Sequence, residues 1–117
     1  MATYNKTELR TAALYEVGAL AAGQTASAED AALADARIQQ VLEGLADKGL
    51  VYWDYDGEIP APAFLPLANI VAATLAGPFG AIARKQELEA MAEEGRRELR
   101  RLKAPPYFHS PMRADYF

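Results

Sequence analysis

Apolar residues recur at helical spacing in four separate stretches of this chain, and most of these stretches carry recognisable start and stop signals. Leu9, Ala13, Val17 and Leu20 share one stripe, with Leu14 beside it. Ahead of them, Asn5 can accept a hydrogen bond from the first turn while Glu8 reaches back, the reciprocal capping arrangement of a helix start. The pattern predicts a first helix from Asn5 that ends at Gly23. A second helix opens at Ser27, a good cap followed by Glu29 and Asp30 near the positive end of the helix dipole. Its apolar face is Leu33, Ile38, Val41, Leu42 and Leu45, and Gly49 stops it. Gly44 inside that helix costs roughly 1 kcal/mol relative to alanine, a cost that another backbone passing close there would explain.

Residues 50–58 change character. Leu50-Val51-Tyr52-Trp53 is strand-like in composition and runs into the turn signal Asp56-Gly57. One short strand forms no sheet alone, so this insert either pairs elsewhere or simply runs extended. Pro60 and Pro62 then suit the start of a third helix, with Pro66 tolerated in its first turn if that helix starts late. Phe64, Leu67, Ala68, Val71 and Leu75 form its stripe, widened by Leu65, Ile70 and Phe79, so it is expected to be central and buried. Gly77-Pro78 with Gly80 marks a break. The fourth helix, about residues 81–102, has a thin apolar line of Ile82, Leu88, Met91, Leu99 and Leu102. Glu93 with Arg97, and Glu98 with Arg101, have the spacing of exposed ion pairs. Ala104-Pro105-Pro106 ends helical structure, and an aromatic tail follows. The fold class expected is all-α: a four-helix, bundle-like protomer over residues 1–103, with the short extended insert at about 50–58 and an extended C-terminal tail over 104–117.

Composition sharpens this. At 117 residues the chain holds one domain, and 51% apolar residues allow a core, although much of that fraction is alanine and buries little area per residue. A small alanine-rich core is marginally stable alone, which favours assembly. With no cysteine, disulfides, thiolate metal sites and cysteine nucleophiles are excluded. The opening residues carry no signal-peptide pattern, and the apolar run Ile59 to Ile82 is interrupted by Pro60, Pro62, Pro66, Gly77, Pro78 and Gly80, so neither export nor a membrane span is expected. Charge is unevenly placed. Residues 1–80 hold four Lys/Arg against ten Asp/Glu, and residues 81–117 hold eight against six. That weakly basic third is not the concentrated footprint nucleic-acid binding needs, but unlike ends suit a head-to-tail contact.

No reactive groups stand in a working pattern along the sequence. Asp54, Asp56 and Glu58 lack the glycine and glutamate positions of a calcium loop, and a polar turn accounts for them. His109 is the only histidine. It lies in the tail, where an interface role suits it better than catalysis. Gly77-Pro78-Phe79-Gly80 with Lys85 lacks the order of a phosphate loop, and neither Ser27 nor Ser110 sits in a nucleophile motif. Arg96, Arg97, Arg100, Arg101 and Lys103 are interleaved with Glu93, Glu94 and Glu98, which suits a solvated or partner-facing helix. No enzyme activity, cofactor or metal is expected. The tail is different. Tyr107, Phe108, Tyr116 and Phe117, with Met112 and Arg113, have the composition of an interface rather than of a solvating tail. Tyr107, Phe108, His109, Met112, Arg113, Tyr116 and Phe117 are therefore the candidate partner-binding residues, the alternative being that the tail covers its own core.

Several stretches together carry a resemblance: the run from Leu14 to Asp30, Asp47-Lys48-Gly49-Leu50, Glu58-Ile59-Pro60, Phe64-Leu65-Pro66-Leu67 and Leu75-Ala76-Gly77-Pro78-Phe79-Gly80. Over roughly residues 8–82 the chain resembles the head-to-tail adaptor (connector) proteins of tailed bacteriophages, small proteins that ring the portal. The resemblance implies a helical protomer repeated around the portal axis as a dodecamer, in the neck of a virion assembled in the bacterial host cytoplasm. It also implies that the C-terminal extension anchors on the portal protein, that the opposite end receives a further tail or neck protein, and that DNA passes through the lumen without specific binding. A helical DNA-binding or regulatory protein is the competing expectation, with the fourth helix as its recognition element.

Overall fold

In a computed structural model, which describes residues 3–21, 23–54 and 57–103, four helices surround an alanine- and leucine-rich core, with a tiny two-stranded ribbon at one end. The capping signal at Asn5 is realised. The Glu8 amide donates to Asn5 Oδ1 at 2.8 Å, and the Asn5 amide donates to Glu8 Oε1 at 3.0 Å, opening α1 (Lys6–Glu16). This helix stops well short of Gly23. Gly18, at φ +84°, turns the chain left-handed, and the Ala19 and Gly18 amides donate back to the Leu14 and Tyr15 carbonyls. Glycine takes that conformation without a Cβ clash, and the two bonds satisfy carbonyls the helix end would otherwise leave free.

The same device closes α2 (Ala28–Asp47), where Gly49 is left-handed at φ +74° and Leu50 donates to the Leu45 carbonyl at 2.9 Å. The start of α2 is the one its sequence signals, the Asp30 amide donating to Ser27 Oγ at 3.2 Å. Arg10 of α1 meets Asp35 of α2 at 3.0 Å. Beyond α2, the described residues of the insert make no strand of their own. Leu50 is buried and Val51 and Trp53 pack on the core, while Gly57 donates to the Asp54 carbonyl in a turn. Pairing falls instead on β2 (Ile59–Pro60), antiparallel to β1 (Thr3–Tyr4), with Thr3 opposite Pro60 and Tyr4 opposite Ile59. Proline can take this place because the ribbon has only two strands, both edges.

α3 (Ala61–Leu75) begins directly after Pro60, so Pro66 lies inside the helix rather than in a late first turn. Its ring brings no N–H to the carbonyl one turn back. The helix has no charged residue, and Ala63, Leu67, Ala68, Ile70, Val71, Ala72 and Leu75 are buried. Past Leu75 the chain keeps turning until Gly80, left-handed at φ +72°, reverses it. A short 3-10 turn (Ile82–Arg84) precedes α4 (Lys85–Lys103), so the α-helix begins later than the expected residue 81, and Ile82 stands exposed rather than on the apolar line. α4 buries Leu88, Ala92, Gly95 and Leu99.

Two arginines take helix-end carbonyls that the glycine turns leave over. Pro78 has no N–H to give the Thr74 carbonyl, which accepts from Arg37 Nη1 at 3.1 Å. Arg84 Nη1 donates to the carbonyl of Glu16, the last residue of α1, at 2.6 Å. Cations at helix C-termini also complement the dipole.

The close backbone approach expected at Gly44 is absent there, since a Cβ on Gly44 would meet nothing within 4 Å. It occurs at Gly95, where a Cβ would stand 2.7 Å from the carbonyl oxygen of Pro66. Backbone has little room to yield, so Gly95→Ala should destabilise the protein by about 1–3 kcal/mol, the range for overpacking. Gly44→Ala should stabilise it by about 0.5–1 kcal/mol through helix propensity alone. Urea denaturation followed by far-UV circular dichroism checks both, and opposite signs are the expected result.

Candidate partner-binding surfaces

The seven candidate residues of the tail, Tyr107, Phe108, His109, Met112, Arg113, Tyr116 and Phe117, lie outside the described residues. What the structure does fix is the place from which the tail departs. α4 runs antiparallel to α3: Gly95 stands beside Pro66, while Glu89 and Ala92 lie near Ala73 and Thr74. Its last residue, Lys103, brings Nζ to 3.1 Å from where a Cβ on Gly49 would stand. The tail therefore leaves the end of the bundle that also holds the end of α2, the start of α3 and the ribbon.

At that end opens a mainly apolar groove. It has a volume of about 450 Å³ and runs along α1 and the first turn of α3, walled by Tyr4, Thr11, Ala12, Tyr15, Leu20 and Phe64. Tyr4 and Phe64 stack with ring centroids 4.4 Å apart. Tyr15 remains 55% exposed, a large aromatic with one side in water. The apolar stripe of α1 did not include Tyr15. Its signal in the sequence is an aromatic on the solvent side of an otherwise well-patterned helix, next to the Leu14 that goes inward.

The arginines of α4 are largely occupied. Glu93 takes Arg96 at 3.0 Å and Arg100 at 3.9 Å, Arg97 pairs with Glu94, and Arg101 reaches Glu98. The expected Glu98–Arg101 pair is thus present, whereas Glu93 and Arg97 choose nearer partners three residues away. Such exposed pairs add little stability, but they neutralise the face a phosphate backbone would need. Arg84 similarly meets Glu87 at 2.8 Å. That hydrogen bond, and then the Glu87 charge, hold the Arg84 guanidinium above its ordinary value.

Three of the remaining chemical candidates have structural roles, and Ser110 lies outside the described residues. Ser27 caps α2, Glu58 accepts from the Thr3 hydroxyl, and Asp54 belongs to the turn closed by Gly57; Asp56 lies outside the described residues. Among the described residues, no group of three or more His, Cys, Asp or Glu could hold a metal, and no helix is long and apolar enough to cross a membrane. No family model, curated protein or solved structure matches the chain.

The Glu98–Arg101 pair gives a measurable titration. The hydrogen bond from Arg101 first, and its charge in addition, hold the Glu98 carboxyl below the usual carboxylate range, with desolvation opposing. Because the folded state lowers this value, the stabilisation is present above the unfolded carboxylate value and is lost as pH falls through the folded one. Carboxyl chemical shifts should show Glu98 titrating at lower pH than a free glutamate, and Arg101→Gln should return it to the ordinary range.

Proposed function

We propose that this chain is a structural head-to-tail adaptor of a tailed bacteriophage, a protomer of a dodecameric ring beneath the portal that joins capsid to tail and continues the DNA channel. The observation that carries the proposal is the resemblance over roughly residues 8–82, whose stretches fall on the joints of the fold. They cover the end of α1 with its Gly18 turn, the cap of α2, Gly49, the ribbon strand β2, the first turn of α3 and the Gly80 reversal. In this proposal the protomer works through its surfaces. Tyr107, Phe108, His109, Met112, Arg113, Tyr116 and Phe117 are the portal anchors in this proposal, and the opposite end of the bundle receives the next tail or neck protein. The acidic residues 1–80 suit a conduit that does not grip passing DNA.

The competing reading, a DNA-binding or regulatory helix protein, would have to use α4. Its arginines are paired with Glu93, Glu94 and Glu98, which favours the adaptor.

Among the described residues, the buried core cluster runs from Leu9 to Leu99 and already joins all four helices. Deleting residues 104–117 is therefore expected to leave far-UV helicity intact while abolishing capture by the portal of the same phage. Full-length protein co-expressed with that portal should give rings by negative-stain imaging. Undiminished capture of the truncated chain would overturn the anchor assignment, and a shift of duplex DNA at low salt would favour the competing reading.

A further inference from the structure

The groove between α1 and the start of α3 leaves contiguous apolar surface open, with Tyr15 more than half exposed on its wall. Glu8 is the one charged residue on its rim, and Glu8 Oε1 already accepts from the Asn5 amide. An occupant should therefore be uncharged, aromatic and close at hand. One segment of this chain meets all three conditions. From Ala104 through Met112 there is no Asp, Glu, Lys or Arg, and Tyr107, Phe108, Pro111 and Met112 supply the apolar groups.

The point of departure suits it as well. α4 ends beside Gly49, at the end of the bundle where Tyr4 and Phe64 stand. On the first turn of α3, Phe64 walls the groove while its neighbour Leu65, 67% exposed, lines the cleft towards Glu94, Gly95 and Glu98 of α4. The groove and α4 are thus separated by the width of α3. Packed helix axes lie about 8–10 Å apart, so the span is on the order of 10–20 Å. At about 3.3 Å per residue, extended chain starting at Lys103 brings Tyr107 roughly 13 Å out and Met112 roughly 30 Å. A tether this short holds its far end at an effective concentration in the millimolar range, so even a weak contact closes within one chain before it closes between two.

We infer that residues Tyr107–Met112 dock in the α1–α3 groove of their own chain, with aromatic side chains meeting Tyr4, Tyr15 and Phe64. Offset or edge-on aromatic pairing of this kind adds to the burial of apolar area. The docking uses Tyr107, Phe108, His109 and Met112, which the proposed function assigns to portal, so the groove holds them in the free protein and portal would have to take them from it.

The absence of cysteine makes a direct test simple. Full-length Ser110→Cys carrying a nitroxide label should broaden the backbone amides of Thr7, Thr11, Tyr15 and Ala21, at a strength independent of protein concentration. Labelled chain without nitrogen-15, mixed with unlabelled nitrogen-15 chain, should leave those amides sharp. Thr11→Asp, at an exposed helix position, should remove most of the broadening with helicity unchanged. Sharp α1 amides in the labelled full-length protein would overturn the inference. So would broadening confined to other faces, persistence of the effect in Thr11→Asp, or broadening in the mixed sample, which would assign the groove to the tail of a second copy. None of these readouts involves portal, so failure of the portal anchor leaves them unaffected.

Discussion

α3 has no charged side chain, and apolar groups occupy most of its circumference, so the rest of the molecule is arranged to cover it. α1, α2 and α4 each lie against it, and the ribbon fixes the point at which it begins. The closest of these contacts is with α4, where Gly95 lets a helix backbone come down on the Pro66 carbonyl. Small residues on both sides, Ala73 of α3 and Gly95 and Ala92 of α4, permit that approach. The area each alanine buries is small, and close packing of many atoms has to replace large side chains.

Such a core depends on helix ends being held in register, and three kinds of cap do this. Side chains open α1 and α2, left-handed glycines close the turns at Gly18, Gly49 and Gly80, and Arg37 and Arg84 take the carbonyls of Thr74 and Glu16. The arginine caps also tie elements to one another, α2 to the end of α3 and the turn before α4 to the end of α1. They link distant parts of the chain without using core volume.

The helix starts were legible because their signals are local: Asn5 with Glu8, and Ser27 with Asp30, make their bonds within one turn. The helix ends were less so. Gly18 and Gly23 both take positive φ, and periodicity continuing through Leu20 concealed which of them stops α1. Gly44 and Gly95 show the same limit from another side, since a glycine in a helix signals a close approach only when a neighbour is actually there, and neighbours are set by tertiary packing. The partner of β2 lies at the far N-terminus, beyond any local pattern, so Leu50 to Trp53 had the composition of a strand while packing as core cover. For the candidate surfaces, the composition of the tail was visible in sequence. The groove was not, because Tyr4, Tyr15 and Phe64 come together only once α1 lies on α3.

The order in which α3 and α4 occur in the chain has a consequence during synthesis. A nascent polypeptide that has emerged only as far as Gly80 can assemble α1, α2 and α3, yet the side of α3 that α4 covers is still bare. Apolar helical surface in that state is what chaperones bind and what aggregates when they do not. Ribosome stalling or proteolytic nicking in the turn before Lys85 would thus yield fragments prone to clump, whereas release of α4 quenches that stickiness in one step.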